Sequence, residues 1–332
     1  MLISILFLLV GLIILIFGGE FLVKGAVALA KAVNISSLVI GMTIVAFGTS
    51  APELIVSITS ALNDNAGIAV GNVIGSNIAN IALVLGATVL ILPIPIDKQT
   101  KFVDFPVMLI ATGMFYYFAR DGEIVFLEGL ILFLALIGYL SYMATRSIAL
   151  RKKVKNEEAT NVESSPYELD DYKEEPFWKS ITFLLVGFIG LYFGAEWFVD
   201  GAIGIAEFLL AENPEKDVII GVTIVALGTS APELVASTVA AYKGETDLSI
   251  GNLLGSNIFN IFAVIGITGI VSPMEVTENA INFDMWWMIG IAFFMGISIF
   301  IGNKINRWEG VIMLGTYFTY MGVILLRVRG VL

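Results

Sequence analysis

Six residues set the chemical question. Gly48-Thr49-Ser50-Ala51-Pro52-Glu53 recurs unchanged as Gly228-Thr229-Ser230-Ala231-Pro232-Glu233. Around them, Ile40–Leu54 matches Ile220–Leu234 at 13 of 15 positions, without a gap. Both copies lie in strongly apolar segments. A charged side chain at the centre of a bilayer costs roughly 2.5–3.5 kcal/mol even on permissive insertion scales, so an acid kept there is by default a functional group. The neighbouring residues bear this out chemically. Pro52 and Pro232 have no N–H, which leaves the helical carbonyls of Gly48 and Gly228 without a partner, and the glycines relax the backbone further. Unsatisfied carbonyls at membrane depth require protein or a hydrated cavity to satisfy them, and a bound cation does the same. Glu53 and Glu233 supply charge beside each break. Thr49, Ser50, Thr229 and Ser230 add hydroxyls and carbonyls, and Ser57 lies one helical turn beyond Glu53 on the same face.

A second motif is also written twice, as Gly71-Asn72-Val73-Ile74-Gly75-Ser76-Asn77-Ile78-Ala79-Asn80 and Gly251-Asn252-Leu253-Leu254-Gly255-Ser256-Asn257-Ile258-Phe259-Asn260. On a helix, Asn72, Ser76 and Asn80 fall in one polar stripe, and Gly71 and Gly75 form a ridge where another helix can approach closely. The stripe is costly against lipid, so it should face the Glu53 segment, and Asn252, Ser256 and Asn260 should face the Glu233 segment. Helix packing alone is the competing explanation for the asparagines, and a weaker one for a duplicated Glu beside Pro. Together the motifs offer two carboxylates, hydroxyls, amides and freed carbonyls. Every donor is oxygen, which suits hard cations such as Ca²⁺ or Na⁺. Two carboxylates neutralise one Ca²⁺ or two Na⁺, an arithmetic of competition for one site that suggests antiport.

These motifs must be held by membrane helices. The 332 residues are 58% hydrophobic and 14% charged, with a mean hydropathy of +0.91, whereas soluble domains carry roughly 25% charged residues. Cys and His are both missing, which removes disulfides, thiolate and imidazole ligands and the usual proton shuttle. No basic stripe interleaved with aromatics supports nucleic-acid binding. No enzyme constellation is present, because the motif serines have no His or Lys base in the pattern. Met1 to Phe17 lacks a basic leader and reads as a first membrane helix.

Apolar runs of about 20 residues predict about ten spans, near 2–20, 37–62, 67–92, 104–119, 124–145, 179–199, 217–241, 247–271, 283–301 and 308–326. The predicted organisation is a first five-helix repeat at 1–145 with its motif region at 40–80, a hydrophilic linker at 146–179, and a second repeat at 180–332 with its motif region at 220–260. The first spans also correspond, Gly18 to Ala26 against Gly194 to Ala202, in a slightly shifted register. Five spans is an odd number, so the second repeat enters the membrane inverted, and interrupted helices at the midplane of inverted repeats are characteristic of alternating-access transporters. The linker is a solvated connection or a regulatory calcium site. Placing both termini outside puts 14 Lys and Arg on the inside and 4 outside, the expected cytoplasmic bias, with the linker cytoplasmic and the chain in the cell membrane. Glu20 with Lys24, and Glu128, Asp284 and Glu309, read as interfacial.

The two doubled motifs resemble the α1 and α2 repeats of sodium/calcium exchangers in the calcium/cation antiporter superfamily, in a compact prokaryotic form. The resemblance implies that Glu53, Glu233 and the Thr49 and Thr229 carbonyls hold Ca²⁺. It further implies sodium sites from the same glutamates with Ser50, Ser76, Ser230, Ser256 and the Ala46 and Ala226 carbonyls. Spans one and six are then expected to slide across a rigid core. Potassium-dependent relatives carry Asp where this chain has Asn260, and here both Asn80 and Asn260 are neutral. The proton-coupled branch usually places Glu in the second motif, and none stands there. The expectation is Na⁺/Ca²⁺ exchange, extruding Ca²⁺ without potassium, with Ca²⁺ and Na⁺ as substrates, no cofactor and no obligate protein partner. Ca²⁺/H⁺ antiport and potassium-dependent exchange are the alternatives, and a cation channel is a distant third.

Overall fold

The computed structural model describes residues 1–63, 66–160, 176–209 and 226–328. Among them, eight helices are long and apolar enough to cross a membrane, and a bent pair, Ser37–Thr49 with Ala51–Leu62, makes a ninth. We number them as spans in chain order. Spans one to five are Leu2–Val33, the bent pair, Gly67–Ile91, Thr100–Ala119 and Phe126–Ala149. Spans six and eight to ten are Phe177–Phe208, Thr246–Val271, Ala280–Ile301 and Arg307–Arg327. The expected seventh span is described from Ala226 onward, as helices Ala226–Thr229 and Ala231–Tyr242; its expected start at 217, and linker residues 161–175, lie outside the described residues. Spans one and six continue past Glu20 and Glu196 as single long helices, as the amphipathic stretches after those residues lead one to expect.

Spans three and eight are the most enclosed, with 78% and 83% of their most apolar windows buried, against 22% and 28% for spans one and six. The asparagine motifs therefore sit on central posts, packed around by spans four, five, nine and ten. Spans one and six form an outer pair. They pack antiparallel through evenly spaced glycines: Gly11, Gly18 and Gly25 on one helix, Gly187, Gly194 and Gly201 on the other. A Cβ at Gly18 would lie 2.7 Å from the Leu191 nitrogen, and one at Gly194 2.7 Å from the Leu15 nitrogen. Such backbone approach is how small residues drive helix association where no hydrophobic force operates.

Two short strand pairs tie the halves together. Ile94–Pro95, after span three, pairs antiparallel with Lys304–Ile305, before span ten. Glu123–Ile124, before span five, pairs with Met274–Glu275, after span eight. Each pair joins one connection from each half, so each pair's two connections share a membrane face. With every span crossing once, only an inverted relation between the halves satisfies this. Wider π-helical turns also recur in matching places, at Ala79–Leu85 and Asn260–Ile265 and at Thr100–Asp104 and Ala280–Asp284. Apolar periodicity carries no signal for them.

Candidate functional site

The doubled Gly-Thr-Ser-Ala-Pro-Glu sequence builds the same local structure twice. Ser50 leaves helical geometry at φ −87° and ψ 3°, and Ser230 does so at φ −89° and ψ 3°. In span two the axis turns by 42° at this residue. The break thus falls two residues before the proline, a refinement of the expectation that Gly48 and Pro52 would mark it. Pro52 and Pro232 lie in the first turn of the following helices, where a missing N–H breaks no intrahelical bond. Gly48 serves packing: a side chain there would collide with the Phe188 ring, and at Gly228 with Val199, both from span six. Glu53 and Glu233 sit in the first turns of the helices that follow the two breaks, where the positive end of the helix dipole favours a negative charge.

Both glutamates are buried, with relative exposures of 1% and 0%, and close enough to feel one another's charge. Ser76 donates to Glu53 Oε1 at 3.5 Å, and Ser50 donates to Glu233 Oε1 at 3.5 Å. The Oε2 atom of each has no hydrogen-bond partner among the described residues. Thr49 lies between the halves, its hydroxyl donating to Asn252 Oδ1 at 3.2 Å and standing 3.3 Å from Ser256 Oγ. Its third neighbour is the Ala46 carbonyl at 3.3 Å, which also accepts the Ser50 N–H at 2.9 Å. Ala226 opens the corresponding turn in the second copy. Thr229 borders a cavity of about 180 Å³ together with Asn72 and Ser76.

The asparagine stripes meet the glutamate segments in part: Asn72 and Ser76 face the Glu53 segment and Asn252 the Glu233 segment, whereas Ser256 stands against Thr49 of the other half and Asn260 reaches span three. Asn72 donates to the Glu53 carbonyl at 3.3 Å and to Ser57 Oγ at 3.2 Å; its counterpart Asn252 donates to Ser237 Oγ at 2.9 Å. Asn260 donates to Asn77 Oδ1 at 3.5 Å, joining spans eight and three. Both amide atoms of Asn80, the Asn260 oxygen and the Ser230 hydroxyl are buried without a partner among the described residues. An orphaned buried polar group costs about 1–3 kcal/mol, and these four atoms all belong to the doubled motifs that carry the glutamates and their partners. Such a cluster is stable as a receptor for something that satisfies it. Ser237, Asn77 and Asn252 belong to it but were not among the expected ligands. The repeat itself points to Ser237, which holds the place in the second copy that Ser57 holds in the first.

Among the described residues, no group of three or more His, Cys, Asp or Glu is placed to hold a metal, so the carboxylate content of the cluster is two. Helix breaks, paired acids and surplus oxygens, buried at the crossing of two inverted halves, define the class: a multi-span membrane transporter of cations. Sequence comparison is consistent with this. The family model described as sodium/calcium exchanger protein matches residues 3–145 and 179–326. The chain belongs to that family, whose members are transporters rather than enzymes. It is 37% identical to the putative antiporter CaxA of Alkalimonas amylolytica, over 96% of this chain and 98% of that one. It is 33% identical to the sodium/calcium exchanger MaX1 of Methanosarcina acetivorans, over 97% and 98%. The solved sodium/calcium exchanger of Methanococcus jannaschii superposes with a TM-score of 0.80 at 31% identity, covering 97% of this chain and 98% of that one.

Proposed function

We propose that this chain exchanges Na⁺ for Ca²⁺ by alternating access, extruding Ca²⁺ from the cell and working without potassium. The observation that carries the proposal is the pair of buried glutamates, each with one oxygen left over among the described residues, inside a shell of neutral oxygens. Two negative charges and oxygen donors alone match one Ca²⁺ or two Na⁺, so the ions compete for the same charge. Glu53 and Glu233 are the shared ligands. The Thr49 and Thr229 carbonyls complete a calcium shell, and Ser50, Ser76, Ser230, Ser256 and the Ala46 and Ala226 carbonyls serve sodium. Asn80 and Asn260 supply amide oxygens and no third charge, which favours independence from potassium. The absence of His, and of a carboxylate in the second motif, favours sodium over protons as the driving ion. The repeats occupy 1–145 and 180–332, joined by a cytoplasmic linker at 146–179, with both termini outside.

The test is uptake of calcium into proteoliposomes preloaded with sodium, with potassium absent and pH equal on both sides. Uptake that requires the outward sodium gradient supports the reading. Uptake that ignores sodium and follows an imposed pH gradient replaces it with Ca²⁺/H⁺ antiport.

A further inference from the structure

A methionine ends the hydrogen-bonded chain that runs out of the ion cluster. Met288, on span nine, is buried, and its Sδ accepts from Asn77 Nδ2 at 3.9 Å. Asn77, on span three, accepts at Oδ1 from Asn260 Nδ2 of span eight at 3.5 Å. Asn260 in turn keeps its Oδ1 buried and without a hydrogen-bond partner among the described residues. A sulfur, two amides and a free oxygen thus stand in series across three helices. All three helices belong to the enclosed core, so the series does not depend on the outer pair, spans one and six.

An amide has two ends of similar shape and opposite polarity, a donor NH₂ and an acceptor oxygen, and its neighbours decide which end points where. A thioether sulfur accepts and never donates. It therefore draws the NH₂ of Asn77, which turns the Asn77 oxygen toward Asn260. That oxygen also only accepts, so it draws the NH₂ of Asn260 and leaves the Asn260 oxygen over. Turning Asn77 around would set oxygen against sulfur and NH₂ against NH₂; turning Asn260 around would set oxygen against oxygen. The direction matters, because hard cations are bound by oxygen and repelled by the positive end of an NH₂ dipole. Met108 stands at the equivalent place in the first half and is buried as well. There Asn257, the counterpart of Asn77, donates to the Leu253 carbonyl of its own helix at 2.7 Å.

We propose that Met288 and Asn77 are positioning residues for cation binding: the sulfur fixes the direction of two amides in series, so that Asn260 presents its oxygen and not its NH₂ to the ion. Both act through Asn260 and neither is itself a ligand. The relay is needed only because residue 260 is a neutral amide. A carboxylate there has oxygen at both ends and no direction to fix.

This inference rests on the reading of Asn260 as an oxygen donor to the carried ion, and its test separates the relay from the identity of that ion. The measurement is equilibrium binding of radiolabelled Ca²⁺ to full-length variants purified in detergent. Met288→Leu keeps the volume, a swap that cores tolerate, and removes the acceptor. It should weaken Ca²⁺ binding roughly threefold, the effect of one weak hydrogen bond, whereas Met108→Leu should leave binding unchanged. Asn260→Asp removes the need for a direction, so adding Met288→Leu to it should bring no further loss. A merely structural role for Met288 predicts the same loss in both backgrounds. Equal effects of Met108→Leu and Met288→Leu, a full loss that persists beside Asn260→Asp, or no loss from Met288→Leu would overturn the relay. Unmutated protein whose unfolding temperature rises with Na⁺ but not with Ca²⁺ would refute the calcium assignment instead, and the same variants then read the relay through Na⁺. Protein stabilised by neither ion would overturn both.

Discussion

Asn80 and Asn260 stand where binding and stability pull apart. Among the described residues, Asn80 has two buried amide atoms without partners and Asn260 has one, each an unmet cost until an ion or water arrives. Asn80→Leu keeps the volume and removes the orphans. It should raise the midpoint of thermal unfolding in ion-free buffer by the equivalent of about 1 kcal/mol, while lowering calcium flux. A stability rise with flux intact would show that Asn80 is a packing residue. The glutamates behave differently, since each carries half of the available charge. Either Glu53→Gln or Glu233→Gln should reduce exchange to background, with Glu→Asp intermediate, as read by calcium uptake in vesicles. Both acids were legible in the sequence because an identical hexapeptide frames each. Their partners were legible only in part: the stripe from Asn72 to Asn80 follows from helical spacing, but the crossings from Thr49 to Asn252 and from Asn260 to Asn77 link different halves, and no local pattern encodes them.

Nine of the expected spans have a clear counterpart among the described helices because hydrophobic length alone reports them. What that length does not report is how helices are broken and joined. The break lies at Ser50 rather than at Pro52, since proline is tolerated in a first turn and the backbone angle changes ahead of it. The π turns at Asn80 and Asn260 have no compositional mark. The even glycine spacing between spans one and six was present in the sequence but becomes meaningful only once those helices are seen side by side. That seam makes its own prediction. Gly18→Val forces a side chain into the backbone of span six, and overpacking of this kind costs about 1–3 kcal/mol. It should lower the unfolding temperature, whereas Gly113→Val on the exposed face of span four, with no described atom within 4 Å of a Cβ, should leave it nearly unchanged. Equal effects would mean that the seam is loosely packed.

The whole molecule is defined by the relation between its halves. Pro95 lies opposite Lys304 in one strand pair, and directly opposed residues of an antiparallel pair are within disulfide reach. Pro95→Cys with Lys304→Cys should therefore cross-link within one chain under mild oxidation, a result that a parallel arrangement of the halves cannot produce. Inversion was legible from counting spans, since five is odd. The strand pairs that lock the two halves were not, because two-residue strands leave no periodic trace. The central claim concerns what this inverted frame carries. Calcium flux into sodium-loaded proteoliposomes, with potassium removed and pH clamped, tests it most directly. The account predicts uptake that rises with the outward sodium gradient, disappears when that gradient is collapsed, and does not change when potassium is added. Uptake that persists without sodium and tracks a proton gradient would contradict it.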